Sequence, residues 1–535
     1  MSASAQKQQP EQSSQGLVVF EGFSGLNSQP SRYGIDPTQC YIMDGFFPAG
    51  NDFARVIPDN SPIGIQFTAS PVYFDFADLA NLFTPGVTSP LCMVFLSDGS
   101  IYSFNTGIGI PNLVAPPGTI QNPAPGNVAI SQWGSQFVLI VSAQVNGYFV
   151  YDGSTFYPPG AAVPGFTTVP TGVSGTAIET YQSRVWILNG SSVVFSAPGS
   201  LTDFATADGG GSFTSNDPSL RSRYSQLKQS NGYLYLFGDS STSYLAGVQT
   251  TGSPPVTTFS LQVVDPEVGT PWPDTVDVLG SNIVFANAWG AHVSYGGRAA
   301  KVSSELDGIY NTVFNFAGQV PSAAKAILFG RRVWVLLLTV LDQTTSQQIG
   351  KLFIWDEKRW CSTQQTINFI FIKHQERDSI LKAWGTDGVK IYPLFTSPTT
   401  NLTKTLRSKF WAPSLLYAET KAENRFWGLI QAFSGATITL TISIDSEKGS
   451  SPKAVTLTPF TVIWSNNTSA TVVWTNNAAV VVVWTSGGGN GGIIALPPNN
   501  CSQNGVLVGF TLSTNAADLA IISLATMPVP VGYLG

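Results

Sequence analysis

Five aspartates, Asp75, Asp98, Asp152, Asp239 and Asp387, recur near predicted turns of this chain. Two carboxylates facing each other about 5–10 Å apart could hydrolyse a glycoside. A sequence cannot place such a pair, and three of the five (Asp98, Asp152, Asp387) precede Gly, as in tight hairpins. The two histidines, His292 and His374, have no third ligand clustered near either, so they read as ordinary strand or turn residues. The sequence has no GxSxG elbow, no HExxH and no P-loop. No catalytic, cofactor-binding or metal-ligating residue is therefore predicted, and the chain reads as a non-enzyme.

Two groups of residues are candidate interfaces. Trp464, Trp474 and Trp484 stand ten residues apart within TVIWSNNTS, TVVWTNNAA and VVVWTSGGG. β-branched runs alternating with Asn-rich turns predict a three-stranded meander. Its tryptophans either fill that meander's core or anchor a partner. The second group is basic: Lys404, Arg407 and Lys409, with Lys421 and Arg425 further on. It reads either as a solvated face or as a charged contact with an adjoining component.

The elements that must carry these residues recur. Apolar strand centres at Phe95, Ile140, Ile187, Leu236, Phe285, Val335 and Ala383 are spaced by 45, 47, 49, 49, 50 and 48 residues. That period suits four short strands with their turns, one blade of a β-propeller. Such a unit cannot bury its apolar face alone and must stack on copies of itself. The expected fold is all-β: a propeller of six or seven blades over 61–400, then a C-terminal β-sandwich-like domain over 401–535. A flexible polar arm (1–16) and an extended docking segment (17–60) come first. The hairpin of RRVWVLLLTV and KLFIWDEKRW is long enough to project from the body, and Ala412 to Ala422 reads as a short helix.

Composition narrows the partners. Charged residues are only 11% of the 535, which favours a surface covered by other subunits. Net charge is −6, so there is no basic footprint for gripping nucleic acid. The four cysteines are far apart and read as isolated thiols. No apolar run approaches the roughly 20 residues needed to cross a bilayer. The polar N-terminus lacks a secretory pattern, so synthesis and assembly in a cytoplasm are expected, with no membrane insertion.

Residues 20–59, FEGFSGLNSQPSRYGIDPTQCYIMDGFFPAGNDFARVIPD, resemble the opening of tail proteins from short-tailed bacteriophages. VYDGSTF (150–156) and FIWDEKRW (353–360) resemble their propeller blades, and NGVLVGFTLSTNAADLAIISL (504–524) their terminal β domain. The phrase Met43-Asp44-Gly45 departs from that pattern, as do the lone Arg55 and the Trp repeat. The resemblance implies a tail nozzle or hub: a homohexameric ring below the portal and adaptor proteins that continues the DNA ejection channel. Fibres or spikes would sit on its outside, and DNA would pass without specific binding. It implies a place in the virion tail, assembled in the host bacterium's cytoplasm, with no cofactor. A carbohydrate-binding propeller acting in host receptor recognition is the alternative.

Overall fold

The computed structural model describes residues 17–28, 31–50, 53–79, 91–214, 224–309, 313–341, 346–377, 380–398, 402–412, 418–433, 437–457, 474–475, 481–482, 493–496 and 503–533. Nearly all ordered elements among them are strands, and the fold is propeller-like. Seven antiparallel four-strand units follow one another at 71–115, 128–157, 177–214, 224–265, 277–301, 322–363 and 371–393. The last supplies only three strands of its own; its outer strand is Ile65–Gln66, pairing Ile391 with Ile65 and Lys390 with Gln66. All seven predicted strand centres lie in the second strand of a unit, each side chain buried.

Packing explains the closed circuit. Second strands such as Phe137–Ser142 and Arg184–Asn189 are apolar on both faces, so they need cover from both neighbours. Contacts between first strands join most successive units and return from the seventh to the first. Phe237 and Phe285, 5.3 Å apart, join the fourth to the fifth.

The turn aspartates behave as turn residues. Asp98 Oδ1 accepts from the Ser100 N–H at 3.0 Å and the Ser100 hydroxyl at 2.6 Å. Asp152 accepts from the Ser154 and Thr155 amides, and Asp387 from those of Val389 and Lys390. Asp239 is exposed in a turn.

Three expectations change. The hairpin Arg331–Leu341/Gln348–Trp355 is embedded rather than projecting, because Val333–Leu338 lie in the main core. Its unit continues sideways through Cys40–Asp44, Lys404–Ser408, Gly509–Thr514, Ile438–Ser446 and Gly449–Leu457 into one nine-stranded sheet. The predicted helix is absent where described: Ala418–Ala432 is a strand, paired along its length with Leu519–Tyr533. Ala, Glu and Lys favour a helix locally, but pairing with a distant partner outweighs that weak preference. The extended segment 17–60 is built into the chain's own sheets. Val18–Glu21, Phe46–Ala49 and Phe53–Val56 join a seven-stranded sheet around Leu519–Tyr533, and Phe20, Phe23 and Phe46 are fully buried.

That seven-stranded sheet packs on the extension of the nine-stranded one. Phe426 lies 5.7 Å from Phe510, and Trp411 bridges Phe20 at 5.7 Å and Phe510 at 5.8 Å. The C-terminal strands thus share both sheets with the N-terminal segment, and one sheet with the sixth unit.

Candidate functional site

The first strand of each unit runs along the axis of the circuit and turns one polar side chain towards it. In chain order these are Asp75, Gln132, Glu179, Lys228, Asp277, Lys325 and Lys373. All but Lys325 line a cavity of about 240 Å³, together with His374. Wider openings continue it. One, of about 330 Å³, lies where the first strands begin and includes Asn127, Tyr224, Trp272, Asp274 and Gln319. The other, of about 490 Å³, lies where several of them end and includes Lys325, Ser230, Asn231 and Arg332.

Most of the axial charges answer one another. Lys373 Nζ lies 3.0 Å from Asp274 Oδ1 and 4.0 Å from Asp75 Oδ2. Burial works to lower this amine, but Asp274 and Asp75 outweigh it and hold the amine above its ordinary value. Burial also pushes the Asp75 carboxyl up, against Lys373 and the Phe76 N–H. The Tyr73 hydroxyl donates to Asp75 Oδ2 at 3.2 Å. Lys325 Nζ lies 2.5 Å from Glu376 Oε2 and 3.5 Å from Asp277 Oδ1, and donates to the Val278 carbonyl at 3.0 Å.

His374 Nδ1 lies 3.3 Å from Asp277 Oδ2, without the alignment of a hydrogen bond. Burial pushes His374 down to about 4, so it is neutral at pH 7. Burial would raise Asp277, but positive charge at His374, Lys325 and Lys228 holds it down at about 2. With His374 neutral, the two lysines are its standing counter-ions. Glu179 stands apart. Burial pushes it up to about 7 against Lys228, and its carboxylate has no ion pair or hydrogen bond among the described residues.

These groups make a pH-dependent axis. His374 binds its proton more weakly in the fold (about 4) than free (6.5), so stability is lost as pH falls from 6.5 towards 4. Asp277 contributes stability above 3.8 that is lost as pH falls through about 2. Glu179 acts oppositely: its raised pKa stabilises the fold below 4.5, and that contribution is lost as pH rises through 7. His374→Gln should therefore flatten the decline between pH 6.5 and 4, and Glu179→Gln should steepen it between pH 7 and 4.5. Denaturant midpoints at pH 7, 5.5 and 4.5 check both; parallel curves for all three proteins would contradict the assignment.

The predicted interface residues lie elsewhere. Lys404 is buried in Lys404–Ser408, its ammonium donating to the Leu402 carbonyl at 3.3 Å. Burial lowers its pKa, with Asp59 acting against this. Arg407, on the same strand, is half-exposed, with Nε 3.6 Å from Asp445 Oδ2. Lys409 is partly buried, which lowers its pKa. Gly45 explains why Lys404 fits: it has φ +75°, and a Cβ there would lie 2.5 Å from Lys404 Cγ. Gly45→Ala should cost about 1–3 kcal/mol, read from the urea midpoint; no change would contradict both the backbone strain and the close approach of Lys404. Of the Trp repeat, the strand Trp474–Thr475 pairs with Val481–Val482, while Trp464 and Trp484 lie outside the described residues.

The axial set was missed by the sequence reading, although a signal existed. Glu179, Lys228, Asp277, Lys325 and Lys373 are 49, 49, 48 and 48 residues apart, in step with the strand centres. In so weakly charged a chain, charges that keep the blade period mark the axis. Asp75 alone of the turn aspartates belongs to it, and of the histidines only His374. His292 instead stacks on Phe285 at 5.5 Å, and burial lowers it to about 4.

No family model and no curated protein matches the chain. Among solved structures, the extracellular domain of a one-component system from B. thetaiotaomicron is 12% identical, with TM-score 0.34, over 77% of this chain and 50% of that one. PorZ, a surface component of the type-IX secretion system of Porphyromonas gingivalis, is 8% identical, with TM-score 0.30, over 91% of this chain and 75% of that one. The N-terminal domain of Nup159 is 10% identical, with TM-score 0.26, over 74% of this chain and 99% of that one. The chain thus spans half the length of the first.

Proposed function

We propose that this chain is a tail nozzle or hub subunit of a short-tailed bacteriophage virion. In this reading the seven units are the blades of one propeller, closed by Ile65–Gln66, and the two remaining sheets form a sandwich beside it. Six copies make a ring whose central pore carries DNA. The portal and adaptor proteins lie above it, and fibres or spikes attach outside. The subunit does no catalysis.

The observation that carries this reading is the state of the axis. Lys373 and Lys325 are held by Asp75, Asp274, Asp277 and Glu376 of the same chain. Committed to one another, these groups serve as a hub, which leaves recognition to the outer surface. A cavity of about 240 Å³ is also far too small for a duplex, so a DNA channel would have to run between copies. The motifs of residues 20–59 and 504–524 supply the family reading.

Light scattering after size exclusion, with electron microscopy, tests it. The expected particle is a ring of roughly 340 kDa, six times the 57.0 kDa chain, formed by the chain alone or with its tail adaptor. A chain that stays monomeric beside the adaptor overturns the proposal. One observation favours the carbohydrate-binding alternative: Trp289 is 72% exposed, and Trp272 lines an axial mouth with Asn127 and Asp274. Aromatic faces beside amides and carboxylates suit sugar rings. Binding on a glycan array that is lost in Trp272→Ala would favour it.

A further inference from the structure

Charge is distributed very unevenly around the circuit. Between Arg55 and Arg184 there is no lysine or arginine, and the only acids are Asp59, Asp75, Asp78, Asp98, Asp152 and Glu179. This stretch builds the first two units and supplies the closing strand of the seventh. Among its exposed aliphatic side chains are Ile63 (80%), Ile108 (61%), Ile110 (63%) and Leu113 (56%). Neighbouring contacts connect their segments. A Cβ on Gly109 would lie 3.8 Å from Ile65, Phe67 packs on Tyr102 at 5.9 Å, and Leu113 pairs with Tyr102 across the sheet. Leu113 also lies on Asn112–Ala115, which pairs only with Ile101–Asn105 among the described residues.

A second uncharged edge lies on the fourth unit. Residues 240–264 contain no charged side chain. They form the long hairpin Thr242–Thr251/Val256–Asp265. One face of its outer strand rests on the third unit, with Phe259 within 4.9 Å of Phe213 and 6.0 Å of Trp186. The other face, Val256, Thr258, Ser260 and Gln262, is exposed, and its edge is unpaired among the described residues. Proteins ordinarily blunt such edges with charge, proline or brevity. Elsewhere in this chain Pro452 and Lys453 blunt the edge Gly449–Leu457, and Ile65–Gln66 and Phe156–Tyr157 are only two residues each. The ten-residue strand Val256–Asp265 has none of these protections until Asp265.

We infer that the two surfaces are halves of one contact: the Ile63/Ile108/Ile110/Leu113 patch of one copy receives the Val256–Asp265 edge of a second copy. This rests on the ring reading above and names its interface. The absence of charge argues for this occupant. Nucleic acid would need cations that the patch lacks, whereas the hairpin of a sister chain can be covered without desolvating a charge. Because the two surfaces differ and lie on different units, the contact is heterologous, the type that closes rings or propagates.

Two variants of the full chain test it: Ile110→Lys with Leu113→Lys on the patch, and Thr258→Lys with Ser260→Pro on the edge. Sedimentation velocity over a concentration series should show each associating at least about 100-fold more weakly than the parent, with unchanged circular dichroism. Mixed, the two variants retain one intact patch and one intact edge, so they should form a 1:1 dimer that neither forms alone. If both variants assemble like the parent, the interface is wrong and the ring reading survives. Monomeric variants whose mixture stays monomeric also overturn this contact. A parent chain that remains monomeric even with its tail adaptor overturns both.

Discussion

Lys373→Met should destabilise the chain by about 3–5 kcal/mol, the cost of leaving buried carboxylates without their cation. Lys373 lies on the first strand of the seventh unit, Asp75 on that of the first, and Asp274 just before that of the fifth. The lysine therefore ties together parts of the circuit that are far apart in sequence. It is 12% exposed and Asp274 7%, so water can replace little of the lost interaction. The double variant Lys373→Met with Asp274→Leu should recover part of the loss, because an apolar pair strands no charge. Urea unfolding of the three proteins measures this. A loss under about 1 kcal/mol would place the pair among solvated surface ion pairs and remove the axis as an organising feature.

Arg32→Met should have a comparable effect of about 3 kcal/mol or more, with a different local consequence. Arg32 NH2 lies 2.8 Å from Asp445 Oδ2 and donates to the Phe510 carbonyl at 3.0 Å; Nε donates to the Ser408 carbonyl at 2.6 Å. The guanidinium also sits 4.0 Å above the Phe410 ring. Burial lowers its pKa to about 10 against the pull of Asp445, so it remains charged at neutral pH. One residue thus pins the N-terminal segment to strands 376 to 478 positions away. Without it, amides of 17–60 should exchange with solvent at least about tenfold faster, while those of the second to fourth units stay protected. Uniform acceleration across the chain would contradict a local latch.

The blade hairpins were legible because each is made by neighbours in sequence. Phe95 and Ile101 face each other across an Asp98-Gly99 turn, and the alternation between them predicts the pairing. The pairings of the segment 17–60 were illegible for the opposite reason. Val18–Glu21 is four residues long, and its partners are Thr526 to Ser523, so no local period announces that pairing. The same distance effect turned an expected helix into Ala418–Ala432. For the axis, the residue types were visible and their function was not. A lysine in an apolar strand has no assigned direction until the neighbouring units stack and make one face the centre. Lys404 shows the limit of reading charge as surface, since the glycine that makes room for its stem lies 359 positions away.

Residues 65 and 66 complete the seventh unit, and 18–21 lie against 523–526. The strand 18–21 therefore waits for 523–526. Vectorial synthesis cannot finish these sheets piecemeal: an emerging chain holds unclosed edges and unburied phenylalanines until 523–526 have been made. A chain stopped before Leu519–Tyr533 should yield insoluble product, and its synthesis should depend on holding factors during elongation.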